Sequence, residues 1–182
     1  MAILYLKTKL IMRPVFLGLW LMCIATTVVA ADDVIYKIKS VYIYNFLSFI
    51  QWPEPQESMT EYQLCMVAEH ALISKLRAVV QNETMNGLPL SVVAYNAESQ
   101  VADCHLLFIQ ENMNLQADVL EEVQHSQVLL IGDAPNFVSE GFGMVGFETR
   151  GRKVRVAMNL TRLQDAGFKV SSKLLRVVRI VR

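Results

Sequence analysis

The stretch "CHLLFIQENMNLQADVLEEVQHSQVLLIGD", residues 104–133, decides the fold. Short apolar runs, "HLLFI" and "VLLI", stand near its two ends. Neither run alternates apolar with polar residues, so each reads as a strand buried on both faces. Between them "LQADVLEEVQ" (115–124) reads as a helix. Strand, helix, strand in that order is a βαβ unit, and its strands are parallel.

Upstream the alternation repeats. "YQLCMVA" (62–68) is a buried strand, and "HALISKLRAVVQN" (70–82) is a helix with Leu72, Leu76 and Val79/Val80 on one side. "NGLPLSVVAY" (86–95) holds a turn and then a strand near 90–95. Further back, residues 34–50 read as a helix, with Ile35, Ile38, Tyr42, Asn45/Phe46 and Phe49 along one face. Asp32 or Asp33 is its expected N-cap, and "QWPEPQES" ends it, because proline cannot continue a helix. The aromatic residues of this helix suit a core or a binding face; Tyr44 lies off the main stripe and is the expected exposed member.

Downstream the pattern changes. "GMVGFET" and "RKVRVAMN" are strands joined by "RG". The second places Val154, Val156 and Met158 on one side and Lys153, Arg155 and Ala157 on the other. That alternation predicts an antiparallel hairpin with one wet face, near the sheet edge. Asn159 is a helix N-cap and Gly167 a stop. Ser171 and Ser172 are expected to cap a last helix from Lys173 onward, with Leu174, Val178 and Val181 as its buried stripe. The expected architecture is α/β: a three-layer Rossmann-like sandwich whose mostly parallel sheet ends in a C-terminal antiparallel hairpin.

Residues 1–13 carry Lys7, Lys9 and Arg13 and no acid, and an apolar run ending in small residues follows. This is the pattern of a secretory signal peptide, cleaved after Ala30 or Ala31. Residues 32–182 would then be a single α/β domain. The other reading is a retained membrane anchor. Export sets the terms for the rest of the chain. It makes nucleic acid an unsuitable partner. It also puts Cys65 and Cys104 in an oxidising compartment, where the pair is expected to form a disulfide, either structural or redox-regulatory.

Charge is segregated. Residues 32–149 hold four basic and sixteen acidic side chains, whereas residues 150–182 hold ten basic ones and one acid, Asp165. A split of this size asks for a partner or an internal pairing. Arg150, Arg152, Lys153 and Arg155 lie on the hairpin; Lys173, Arg176 and Arg179 lie in the tail. Together with Tyr44 they are the candidate partner-binding residues. A solvated charged face is the bland alternative, and contact with anionic phospholipid headgroups is a further one. No catalytic constellation stands out. His70, His105 and His125 are not at metal-ligand spacing, and no nucleophile-elbow, phosphate-loop or zinc-protease motif occurs. Gly141, Gly143 and Gly146 in "GFGMVG" sit inside a strand, where glycine marks close packing. Neither a metal nor a cofactor is expected.

Two segments carry a family resemblance. "VYIYNFLSFIQWP" (41–53) resembles the opening "YNFxxFxxWP" element of the YfiR family, and "EGFGMVGFETRGRKVRVAMNLTRLQDAGFKVSSKLLRVV" (140–178) resembles its closing pattern of Gly-rich strand, basic hairpin, "IN" cap and "AGLxxSSKLL". Phe142 stands where the family often has a glycine, and Met158-Asn159 replaces Ile-Asn. The resemblance implies a periplasmic, non-enzymatic negative regulator. Its implied partner is the periplasmic domain of an inner-membrane diguanylate cyclase (YfiN-like), whose repression lowers cyclic di-GMP and biofilm formation. A homodimer and a small-molecule ligand are further implied partners. The alternative is a periplasmic small-molecule sensor module acting on another membrane signalling partner.

Overall fold

The computed structural model describes residues 27–53, 59–96, 98–113, 115–140 and 143–181. In chain order they form helix α1 (Thr27–Phe49), β1 (Ile50–Gln51), β2 (Tyr62–Val67), α2 (His70–Val80), β3 (Thr84–Met85) and β4 (Leu88–Ala94). A single 3₁₀ turn (Val101–Asp103) leads to β5 (Leu106–Ile109), α3 (Ala117–Gln124) and β6 (Leu129–Gly132). Then come β7 (Val145–Arg150), β8 (Lys153–Asn159), α4 (Leu160–Asp165), β9 (Lys169–Val170), α5 (Ser172–Leu175) and β10 (Arg179–Val181). Contacts divide the chain into units Met1–Val34 and Ile35–Arg182, and the second holds the sheet. The expected signal segment lies largely outside the described residues. No helix among the described residues is long and apolar enough to cross a membrane.

The βαβ unit of the opening stretch is present. β5 and β6 are parallel, with Leu106 opposite Leu129 and Ile109 opposite Gly132. β2 lies parallel to both β4 and β5. The eight-stranded sheet runs β10-β8-β7-β6-β5-β2-β4-β3. β7–β8 and β3–β4 are antiparallel; β6–β7 and β8–β10 are parallel. A separate antiparallel ribbon joins β1 to β9. Alternate residues of the central strands feed two cores. Leu64, Met66, Leu106, Phe108, Leu129 and Ile131 pack with residues of α1, α2 and α4 on one face. Cys65, Leu107, Ile109 and Leu130 pack with Val101 and with Val123 of α3 on the other. Three layers result: helices, sheet, helices.

Local chemistry explains several joints. Asn86 and Gly87 both have positive φ (52° and 82°) between the paired Met85 and Leu88, as a two-residue primed hairpin turn requires. Asn159 accepts from Arg162 N–H at 3.0 Å and so caps α4 as expected. Gly167, at φ 86°, ends it. Of the glycines expected inside a strand, Gly146 lies in β7 and Gly143 just before it, and both are tightly packed. A Cβ on Gly146 would sit 2.7 Å from Val138 Cγ2, and one on Gly143 would meet the Phe137 ring. Gly141 and Phe142 lie outside the described residues.

Four sequence expectations are corrected. First, α1 is helical from Thr27, so Asp32 and Asp33 lie within it and do not cap it; "TVVAA" before them continues the helix. Second, its buried face is rotated from the expected stripe: Lys39, Ser40 and Ile43 are buried, while Ile38 and Asn45 are only half-buried. The cause is a buried cation, described below, which apolar periodicity cannot register. Third, the last helix is one turn long. Ser171 caps it, accepting from Lys173 N–H at 3.3 Å; Ser172 is its first residue. "RIV" then becomes β10, parallel to β8. Its β-branched residues suit a pleated strand, and β8 offers an unpaired edge. Fourth, this strand lies outside the hairpin, so β8 is second from the sheet edge, and Ala157, expected on the wet face, is buried.

Candidate interaction surface

The hairpin builds the basic surface. Gly151, at φ 58°, opens the two-residue turn between Arg150 and Lys153. Register then decides which side chains share a face. Arg150 is opposite Lys153, Glu148 opposite Arg155, and Gly146 opposite Ala157. Arg179 on β10 lies beside Ala157. Arg150, Lys153, Arg155 and Arg179 therefore project from the same sheet face, and all four are exposed. Glu148 projects among them and pairs with Arg179. The same parallel register sets Arg179–Val181 of β10 beside Ala157–Asn159, the second half of β8. The Arg176–Val178 loop leads into β10, the strand outside β8, with Lys173 one helical turn upstream.

Tyr44 is not part of this face. Its hydroxyl donates to Glu83 Oε2 at 2.7 Å, next to β3, the edge strand opposite β10. That bond, followed by burial, raises its pKa. The other aromatics of α1 serve the core. Phe46 is fully buried and stacks on Phe147 with centroids 6.0 Å apart; Tyr42 tilts against the same ring.

Sequence reading missed a second feature. From β2 the chain passes through α2 to β4; from β5 it passes through α3 to β6, in the opposite direction and on the opposite face. The carboxyl ends of β2 and β5 therefore flank a topological switch point, where doubly wound sheets ordinarily hold their ligands. Here the middle of α1, at Tyr36 and Lys39, covers it. Lys39 Nζ lies 2.5 Å from Asp133 Oδ2, with side-chain exposures of 8% and 2%. Asp133 Oδ1 accepts from Glu111 N–H. Tyr36 donates to Glu69 Oε2 at 2.9 Å and accepts from Gln110 Nε2 at 3.2 Å, while Gln110 Oε1 accepts from Glu69 N–H at 2.8 Å. A signal was present in the sequence: Lys39 stands four residues from both Ile35 and Ile43, and Asp133 directly follows "LLIG".

At the amino end of the strands a cleft of about 730 Å³ opens between α1, the β1–β9 ribbon and β2. Trp52, Pro53, Tyr62 and Met85 give it apolar walls, with Lys169 and Asn86 at the margin. Beside it sits His105. Its Nδ1 accepts from Gln63 N–H at 3.0 Å, and its carbonyl accepts from Trp52 Nε1 at 3.1 Å. Burial is the main influence on its pKa and lowers it from the ordinary 6.5; the Glu61 carboxylate acts in the other direction. His70 and His125 are exposed, and no cluster that could hold a metal occurs among the described residues. Cys65 and Cys104 form a disulfide, with Cα atoms 5.7 Å apart, joining β2 to the segment that enters β5.

No curated protein matches the sequence. Residues 36–179, nearly the whole of the sheet-bearing unit, match a known family, one that points to periplasmic regulation of cyclic di-GMP signalling. The chain belongs to the YfiR/HmsC-like family.

Proposed function

We propose that this protein is a non-enzymatic periplasmic repressor of a membrane-bound diguanylate cyclase. Exported by a signal segment within residues 1–31, it binds the cyclase's periplasmic part and holds the enzyme inactive across the bilayer. Cyclic di-GMP and biofilm matrix fall as a result. The observation that carries the reading is the family match over residues 36–179. Repression of this kind is a population shift: the protein must bind the off-state more tightly than the on-state. We propose the sheet face of Arg150, Lys153, Arg155 and Arg179 as the contact surface, with Arg152, Lys173 and Arg176 flanking it and Tyr44 as a separate contact. Complementary charge there steers association and sets register.

Deleting the gene should raise cyclic di-GMP, and purified protein should bind the periplasmic domain of a co-encoded cyclase. The Lys153→Glu/Arg155→Glu variant should lose that binding while keeping its melting temperature. Unchanged cyclic di-GMP together with no measurable binding would sink the reading.

The cleft lined by Trp52, Tyr62 and Met85 favours a second reading, a small-molecule sensor module. It predicts a ligand-dependent rise in melting temperature in the absence of any cyclase.

A further inference from the structure

We propose that the open edge of β4 pairs with the same edge of a second copy of this chain. β4 is seven residues long, yet β3 covers only Leu88 and Pro89 on its outer side. The pairing with β2 fixes which backbone groups lie beyond. Val93 stands opposite Cys65 and Ala94 opposite Met66, and Tyr95 N–H donates to the Met66 carbonyl at 2.9 Å. Successive residues of a strand turn their backbone groups to opposite edges. Ser91, Val93 and Tyr95 therefore face β2, and Leu90, Val92 and Ala94 turn their N–H and C=O groups outward. One contact reports the same direction: the Val92 carbonyl accepts from Arg77 Nε of α2 at 3.0 Å. Among the described residues, the N–H groups of Val92 and Ala94 have no acceptor.

Such an edge is a template for another strand, and its chemistry selects which. "LPLSVVAYN", Leu88 to Asn96, holds no charged side chain. A two-fold axis sets a surface against an identical one, so only a neutral edge can meet itself without like-charge contact. The opposite edge strand, β10, carries Arg179 on the basic face and would bring like charges together. At the β4 edge there is equally no charge by which a foreign strand could be chosen. An antiparallel copy about an axis at Val93 places Val92 opposite the copy's Ala94, and each outward N–H then meets an outward carbonyl. Arg77 must first release the Val92 carbonyl. It guards the edge and keeps association weak. The basic face lies toward the other side of the sheet and stays free in this dimer.

The test uses the mature protein purified from the periplasm. In sedimentation velocity the parent should pass from one chain toward two as concentration rises. Ala94→Pro removes an outward N–H that has no partner in the single chain, and proline is tolerated at such an edge. This variant should stay a single chain at every concentration, with an unchanged melting temperature. Ala94→Lys, which puts like charges on both sides of the axis, should also stay single. Arg77→Met frees the Val92 carbonyl and should tighten association about tenfold. By hydrogen exchange the Val92 and Ala94 amides should gain protection with concentration, whereas those of Ser91 and Val93 are protected throughout. If parent and Arg77→Met both remain single chains, or if Ala94→Lys dimerises as the parent does, the assignment is overturned. So it is if the parent is a single chain and Ala94→Pro loses binding to the cyclase domain; the edge would then take a strand of that partner. No cyclase enters the association measurements, so their failure leaves the repressor reading standing.

Discussion

Replacing Lys39 with methionine keeps the stem and removes the charge, so it isolates the ion pair at the carboxyl edge of the sheet. Its magnitude follows from where the pair sits. An exposed pair contributes about 0–1 kcal/mol, because water competes for both ions. Removing one partner of a buried pair costs about 3–5 kcal/mol, because the other charge is left without water or counterion. Asp133 belongs to the second case, with 2% of its side chain exposed. It would keep the Glu111 N–H on Oδ1 and lose its partner on Oδ2. For a domain of this size each kcal/mol moves the midpoint by about 2–4 °C. Lys39→Met should therefore melt about 10 °C lower by circular dichroism. Lys39→Met/Asp133→Asn removes both charges but retains an acceptor for Glu111 N–H, so it should recover most of the loss. A single-variant shift below about 2 °C, the range of an exposed pair, would refute the reasoning. A double variant no better than the single would do the same.

Three further outcomes are expected. Cys65→Ser removes a cross-link between residues 39 apart. It should cost about 4 kcal/mol in the chain-entropy view, read as a lower urea midpoint; equal midpoints for variant and parent would argue against the bridge as a stabiliser. For His105 the folded-state pKa is lowered, so the unfolded chain takes up the proton first as pH falls. Its contribution is intact above the unfolded value near 6.5 and is lost as pH drops below it. Urea midpoints should fall between neutral pH and about pH 5, and His105→Gln should flatten that part of the profile; an equal fall in the variant would exclude His105 as the cause. Gly146→Ala places a Cβ 2.7 Å from Val138 Cγ2 and should cost about 1–3 kcal/mol by overpacking. Val138→Ala should relieve part of that cost, and purely additive losses in the double variant would refute the clash.

The fold was largely legible because its strands are written as apolar runs. "HLLFI" and "VLLI" could be read as doubly covered strands without knowing what covered them. The hairpin was legible from the alternation of Val154, Val156 and Met158 with Lys153, Arg155 and Ala157. Reading failed where long-range pairing outweighs local preference. Leu174, Val178 and Val181 satisfy helical spacing, yet Val178 and Ile180 equally satisfy a strand, and the free edge of β8 decides between them. β1 and β9 are two residues each and exist only as each other's partner, so no local signal marks them. On the surface, the basic residues were found but their grouping was not. The β8–β10 register brings Arg179 to the hairpin, while the Glu83 bond holds Tyr44 toward the opposite edge. The Lys39–Asp133 pair was passed over, although Lys39 stands four residues from both Ile35 and Ile43, because a lysine in a helix is ordinarily a surface residue.

The helix covering the switch point also has a mechanical meaning. Tyr36 and Lys39 grip the chain at Glu69, Gln110 and Asp133, just beyond the tips of β2, β5 and β6. Those three strands are neighbours at the centre of the sheet. Load applied along the axis of α1 is therefore delivered to all three at once, through short bonds rather than through compliant loops. Sliding the helix by a single turn, about 5.4 Å, would uncouple every one of these grips together.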